Sequence, residues 1–166
     1  MKRTVPTVTA MNALLTAIVT WLSIHFALPA IHEHPRIELV PPAKMAALRY
    51  RGLASDRVPQ PATVEHTSDA PLDAAKNIVA LYDREKKIIY LPEGWTGRTP
   101  AELSVLVHEM VHHLQNLGGE RYECPAAMEK PAYKAQAKWL EQFDRTLEGE
   151  FELDGLTLLV RTNCLD

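Results

Sequence analysis

The most restrictive feature of the sequence is a nearly continuous apolar helix with ionisable residues at its centre. Thr99-Pro100-Ala101-Glu102 predicts its start, because threonine can cap, proline suits a first turn, and Glu102 completes a capping box with Thr99. Gly118-Gly119 predicts its end. Apolar residues occupy most of its circumference, which is typical of a central, buried helix. They are Leu103, Leu106, Val107, Met110, Val111, Leu114 and Leu117.

The middle of this helix reads His108-Glu109-Met110-Val111-His112. Residues four apart lie on one face of a helix, so the imidazoles of His108 and His112 can reach the same ion. Glu109 is turned by about 100° from His108 and can flank that ion without binding it. Unpartnered polar side chains are costly in an apolar helix, which favours a metal site over histidines that are simply buried. The H-E-x-x-H pattern predicts two zinc ligands, with Glu109 as general base towards a water that zinc activates.

With this motif on a capped helix behind a β-hairpin, the chain resembles the zincin metallopeptidases, in a small exported form. The resemblance covers roughly residues 78–117 and, more weakly, the helix from Glu129. It implies an α+β fold: a minimal zincin-like domain with a β-hairpin or small sheet, a central HExxH helix and a second ligand-bearing helix. It also implies that the strand at residues 87–91, or its hairpin partner, lines the cleft and pairs with an extended substrate.

A catalytic zinc site usually has three protein ligands and one open position. The metzincin pattern does not fit, because Gln115 and Gly118 stand where it needs glycine and the third histidine. A gluzincin-like arrangement fits better and implies Glu129, 17 residues after His112, as the third ligand.

Three other residues stay open as the third ligand. Glu120 and Glu123 lie in the connecting loop, where ligands are held less firmly. His113 is the weakest alternative, because it points about 100° away from His112.

Tyr133 stands where the gluzincin E-x-x-x-D form has its aspartate. It has two interpretations: a hydrogen-bond donor to the oxyanion, one turn from the metal, or a packed tyrosine. His113 and Gln136 are candidate hydrogen-bond partners of the ligands. The predicted site therefore has Glu109 and Tyr133 as catalytic residues, His108, His112 and Glu129 as metal ligands, and Zn²⁺ as its cofactor.

The first 30 residues have the layout of an export signal. Lys2 and Arg3 give a positive start, residues 4–31 contain no Asp, Glu, Lys or Arg, and Ala30 offers a cleavage point. An uncut helix of this length could also cross a hydrocarbon core of about 30 Å. We therefore expect residues 1–30 to be a signal peptide or signal anchor outside the fold, and residues 31–166 to form the zincin-like metallopeptidase domain. The location predicted is extracytoplasmic, either periplasmic or secreted, with residues 5–30 as a candidate inner-membrane tether.

Export also bears on the two cysteines. In an oxidising compartment Cys124 and Cys164 are expected to pair, with two free thiols as the alternative. Such a bridge would tie the C-terminus to the segment after the central helix.

The other predicted elements are shorter or less regular. Residues 31–36 are expected to be a flexible lead-in, and residues 51–73 a long loop. The last helix should begin near Glu129 and carry Pro131 in its first turn, because a proline kinks a helix that starts much earlier. This last helix is predicted to extend over residues 130–148. The remaining predictions are a strand at 37–40, a helix at 43–50, and a hairpin with strands 78–82 and 87–91.

The charge balance excludes one broad class of function. With 18 Lys+Arg against 21 Asp+Glu and no basic run, the chain has no electrostatic footprint for nucleic acid. The partner expected is a peptide or protein substrate, whose peptide bond a zinc-activated water would hydrolyse. The alternatives are a non-catalytic zinc-binding module, exported or tethered to the membrane, and an inert exported structural protein. The sequence does not specify the oligomeric state.

Overall fold

The computed structural model describes residues 7–55 and 80–164, with the backbone alone at 52–55. The predicted α+β class is confirmed: helices surround a small mixed sheet. In chain order the described elements are α1 (Val8–Phe26), β1 (Arg36–Val40), α2 (Pro42–Ser55), β2 (Leu81–Asp83), β3 (Ile88–Pro92), α3 (Pro100–Gly118), α4 (Pro125–Glu141), α5 (Leu147–Phe151) and α6 (Gly155–Thr162).

The central helix α3 begins and ends as predicted. The Thr99 side chain accepts a hydrogen bond from the Glu102 backbone N–H, and the Glu102 carboxylate accepts one from the Thr99 backbone N–H. The same carboxylate accepts from Thr96 and Arg98, so it also fixes the turn before the helix. Gly119 ends the helix in the left-handed region, with φ +67°, where glycine adds no steric penalty.

The sheet has the order β1-β3-β2, with β1 parallel and β2 antiparallel to β3. Ile89 and Leu91 belong to the core that also contains α3, whereas Ile88 and Tyr90 pack with Met45 of α2. A strand buried on both faces needs an apolar residue at every position, which explains the unbroken run at residues 88–91.

This order bears on which of the two hairpin strands could pair with a substrate. The strand at residues 87–91 has a neighbour on each side, so its backbone groups already pair within the sheet. Its partner β2 is an edge strand in the part of the chain described here. The hairpin itself is confirmed for the described residues, whereas 78 and 79 and most of the predicted loop at 51–73 lie outside them.

The last predicted helix is wrong in its extent. Helix α4 begins at Pro125, so Pro131 lies inside it and removes a backbone N–H that would otherwise bond the carbonyl of Ala127. The helix ends at Glu141, and the chain turns over residues 142–146 before the short helix α5 begins at Leu147. Pro125, and not Pro131, occupies the first turn of this helix.

Helix α1 packs against the domain, although we expected this segment to lie outside the fold. Leu15, Ile18, Val19 and Leu22 are buried in the core shared with α3. Its length and apolar composition would also allow α1 to cross a membrane. A helix that spans a bilayer cannot bury the same face against the domain, so packing and spanning exclude each other.

The predicted disulfide is confirmed. Cys124 and Cys164 are bonded, with their Cα atoms 5.9 Å apart. Because Cys124 immediately precedes α4 and Cys164 follows α6, the bond holds the C-terminal helix beside the start of α4.

The packing of α1 can be tested with two leucine-sized side chains on opposite faces. Leu22 is fully buried, so Leu22→Ala should lower the free energy of unfolding of the full chain by about 2–5 kcal/mol. Ile24 is 73% exposed, and Ile24→Ala should leave it nearly unchanged. Urea unfolding followed by circular dichroism measures both. Equal small effects would contradict the packing of α1.

Candidate metal centre

Three predicted ligands meet between α3 and α4. His108 Nε2 lies 3.1 Å from one carboxylate oxygen of Glu129, and His112 Nε2 lies 3.3 Å from the other. The two Nε2 atoms are 3.3 Å apart. The three residues together could hold a metal ion, with one ligand atom each and all of these within 4.8 Å of one another.

The hydrogen bonds of Gln115 establish which ring nitrogen of His112 carries the hydrogen. The Gln115 Nε2 donates to the carbonyl of Met128 at 3.2 Å, which orients the amide. Its Oε1 is then the atom 3.0 Å from His112 Nδ1, and an amide oxygen can only accept. The hydrogen therefore sits on Nδ1, and in the neutral ring the lone pair is on Nε2.

Gln136 does the same for His108. The Ser104 hydroxyl donates to the carbonyl of Ala101 at 2.8 Å, so its oxygen accepts from Gln136 Nε2. The Gln136 Oε1 consequently faces His108 Nδ1 at 3.0 Å and accepts its hydrogen. Gln136 thus has the contact expected of a residue that orients a ligand.

These contacts aim two imidazole lone pairs and one carboxylate at the same small volume. Electron-rich atoms this close repel one another unless a cation lies between them. Without a metal, a proton on His112 takes the place of the cation. Burial lowers the pKa of His112, but the Glu129 and Glu109 carboxylates and the Gln115 hydrogen bond together outweigh burial and raise that pKa to about 9. Burial likewise raises the pKa of Glu129, and hydrogen bonds from the two histidines reverse this and bring it well below its usual range.

Glu109 is buried beside the three ligands but is not one of them. Burial raises the pKa of its carboxyl, because the charged form loses its hydration. The charges of His108 and His112 and the backbone N–H of Tyr82 act in the opposite direction. Burial is the largest of these effects, so the net shift of the Glu109 pKa is upward.

A sequence model described as a domain of unknown function, DUF6647, matches residues 7–166. The chain belongs to the DUF6647 family. The match includes α1 as well as the helices that carry His108, His112 and Glu129. No curated protein and no solved structure matches the chain.

The alternative ligands lie elsewhere in the DUF6647 domain. Glu120 and Glu123 are exposed, and Glu120 accepts a hydrogen bond from Tyr122. His113 is fully buried on another face of α3. None of the three belongs to the metal-binding group.

His113 instead holds β2 and the chain before β1 against α3. Its Nε2 donates to the carbonyl of Glu33 at 2.6 Å, so its Nδ1 accepts from the Tyr82 hydroxyl at 3.0 Å. The expectation of a flexible lead-in at 31–36 is therefore wrong at Glu33, whose carboxylate also pairs with Lys87.

Tyr133 lies at the edge of the candidate metal centre, and its ring is packed, which agrees with one of its two predicted interpretations. Its ring packs edge-on against His108, with ring centroids 4.7 Å apart. Its hydroxyl accepts a hydrogen bond from Arg161 of α6 at 3.0 Å. Within residues 7–55 and 80–164, no group accepts a hydrogen bond from this hydroxyl.

Two residues of the centre were not predicted. Gln115 follows His112 by three residues on one helix, a spacing that places it within reach of the ring and could have been recognised. Arg161 lies on α6, which packs against α4 and so brings Arg161 to Tyr133. No local sequence pattern predicts this contact.

We expect about one divalent cation per chain, bound by His108, His112 and Glu129. Zinc content of the full chain, measured by elemental analysis after dialysis, should fall to background in His112→Ala and Glu129→Ala. Glu123→Ala is the matched control and should keep its metal, since this carboxylate is exposed and outside the group. Gln115→Ala should weaken zinc binding by about 10–100-fold, because His112 loses the acceptor that orients it. Loss of zinc in Glu123→Ala with retention in Glu129→Ala would contradict this assignment.

Metal uptake should release a proton. With the pKa of His112 at about 9, its ring is protonated at neutral pH in the metal-free protein, and a metal ion must displace that proton. Zinc affinity should therefore rise as the pH rises from 6.5 towards 9. Calorimetry in buffers of different ionisation enthalpy would report about one proton released per ion near pH 7.5. Uptake without proton release would contradict the protonated state of His112.

Proposed function

We propose that this DUF6647 chain is a zinc-dependent peptidase that hydrolyses peptide bonds outside the cytoplasm. The observation that carries the proposal is the convergence of the His108 and His112 lone pairs on the Glu129 carboxylate. Two imidazoles and one carboxylate form a donor set that suits zinc and is typical of catalytic rather than structural zinc sites. When bound there, zinc supplies Lewis-acid chemistry that activates water and polarises a carbonyl.

Glu109 is the general base in this proposal. It lies beside the ligands in a buried position where its pKa is raised, so its carboxylate can take a proton from the attacking water. The same carboxyl can then deliver that proton to the leaving amine nitrogen. Because Glu109 binds no metal in this scheme, its loss should affect turnover and leave metal binding intact.

The free edge of β2 is the surface we propose for the substrate backbone. Among the described strands, β2 pairs with β3 only, and its Tyr82 backbone N–H faces Glu109. An extended peptide can add to such an edge through main-chain hydrogen bonds. The Tyr82–His113 hydrogen bond holds this edge in place beside α3.

Tyr133 is the residue we propose to stabilise the oxyanion. Arg161 donates to its oxygen, so the hydroxyl hydrogen is free to bond a developing negative charge near His108. This role agrees with its packed ring, since the ring fixes the direction of the hydroxyl.

Two features support an extracytoplasmic location. The disulfide between Cys124 and Cys164 is typical of oxidising compartments, and α1 is apolar enough to act as a signal or membrane anchor. In our proposal the protein is periplasmic or secreted, with α1 as the segment that directs export.

The proposal is tested by Glu109→Gln, which keeps the shape of the side chain and removes the base. Zinc-loaded wild type should cleave an unfolded, fluorescently labelled protein, and Glu109→Gln should be slower by about 10²–10⁴-fold with unchanged zinc content. Glu123→Gln, an exposed carboxylate outside the centre, is the control and should match wild type.

Two outcomes would count against a peptidase. Equal turnover in wild type and Glu109→Gln would remove the general base from the mechanism. Zinc binding without cleavage of any peptide or unfolded protein would favour the non-catalytic zinc-binding module.

A further inference from the structure

Arg161 is an exposed arginine at the rim of the metal centre. One of its N–H groups donates to the Tyr133 hydroxyl at 3.0 Å. Within residues 7–55 and 80–164, no carboxylate lies within ion-pair distance of it. A guanidinium has five N–H donors in a planar fork, and Tyr133 accepts from one nitrogen of this exposed side chain.

The candidate site is partly open to solvent at Glu129. The Glu129 side chain is 33% exposed, whereas that of His112 is 9% exposed. Tyr133 follows Glu129 by one helical turn and shares its face of α4. Arg161 is hydrogen-bonded to the hydroxyl of that tyrosine, whose ring packs against His108, so an exposed guanidinium lies close to the candidate ligands.

The position of Arg161 is held covalently as well as by packing. Helix α6 packs on α4, and Cys164, three residues after Arg161, is bonded to Cys124 at the start of α4. The backbone at Arg161 is consequently held against the same helix that carries Glu129 and Tyr133. This reduces the segmental entropy that binding would otherwise cost.

We infer that Arg161 binds a carboxylate group of the substrate next to the metal centre. The inference rests on the proposed function, which it deepens by naming the substrate class: peptides with a carboxylate close to the bond that is cleaved. A planar guanidinium matches a carboxylate with two parallel hydrogen bonds, and Tyr133 fixes the fork from one side. The carboxylate has two sources, the C-terminus of the peptide or an acidic side chain.

Binding of matched peptides to the zinc-loaded full chain with Glu109→Gln tests this inference without turnover. The probes are N-acetylated alanine peptides with a free or an amidated C-terminus, and amidated peptides with an internal Glu or Gln. Arg161→Ala should weaken binding of the carboxylate-bearing peptide by about 10–100-fold and leave its amide or Gln counterpart unchanged. Arg161→Lys, which keeps the charge without the fork, should restore part of the loss. The two peptide pairs separate a C-terminal carboxylate from a side-chain carboxylate.

Zinc content and circular dichroism of each variant serve as controls for the fold. If the Glu109→Gln protein with Arg161 intact binds carboxylate and neutral peptides equally, or binds neither, the inference is overturned. Equal loss for both members of a pair in Arg161→Ala would overturn it as well. A carboxylate preference that depends on Arg161 in a protein that cleaves nothing would support the inference and contradict the peptidase. If the protein cleaves peptides but Arg161→Ala does not change the carboxylate preference, the peptidase is supported and the inference is contradicted.

Discussion

The attraction between two buried histidines and one glutamate is the interaction on which this structure depends. Helix α3 is apolar around most of its surface, yet it carries His108, Glu109 and His112 at its centre. Polar groups in such surroundings need partners, and α4 supplies them through Glu129 and Gln136. The position of α4 against α3 is thus determined by polar contacts as much as by apolar packing.

The interface between α3 and α4 also needs small residues. Ala132 and Ala135 of α4 are fully buried in the core that contains Met110 and Leu114 of α3. Alanine allows two helix backbones to approach closely, and this closeness is what brings the short Glu129 side chain within 3.1–3.3 Å of both rings. A larger residue at 132 would separate the glutamate from the histidines.

Local rules account for what the sequence could predict, and competition between distant segments accounts for the rest. The capping box at Thr99 and the spacing of His108 and His112 depend on neighbours along one helix, so they can be read directly. The predicted start of α4 is wrong because Pro125 and Pro131 both suit the first turn of a helix, and the helix begins at Pro125. The role of α1 could not be settled by composition, since an apolar run suits a bilayer and a protein core equally well. The contact of Arg161 depends on tertiary packing and has no local signal.

The disulfide makes residues 124–164 a closed covalent ring. This ring contains Glu129, whereas His108 and His112 lie outside it on α3. A metal ion at the centre would therefore be a crosslink between two topologically separate parts of the chain. Its affinity must include the free energy of docking the ring on α3, so any substitution that loosens this docking weakens metal binding without touching a ligand.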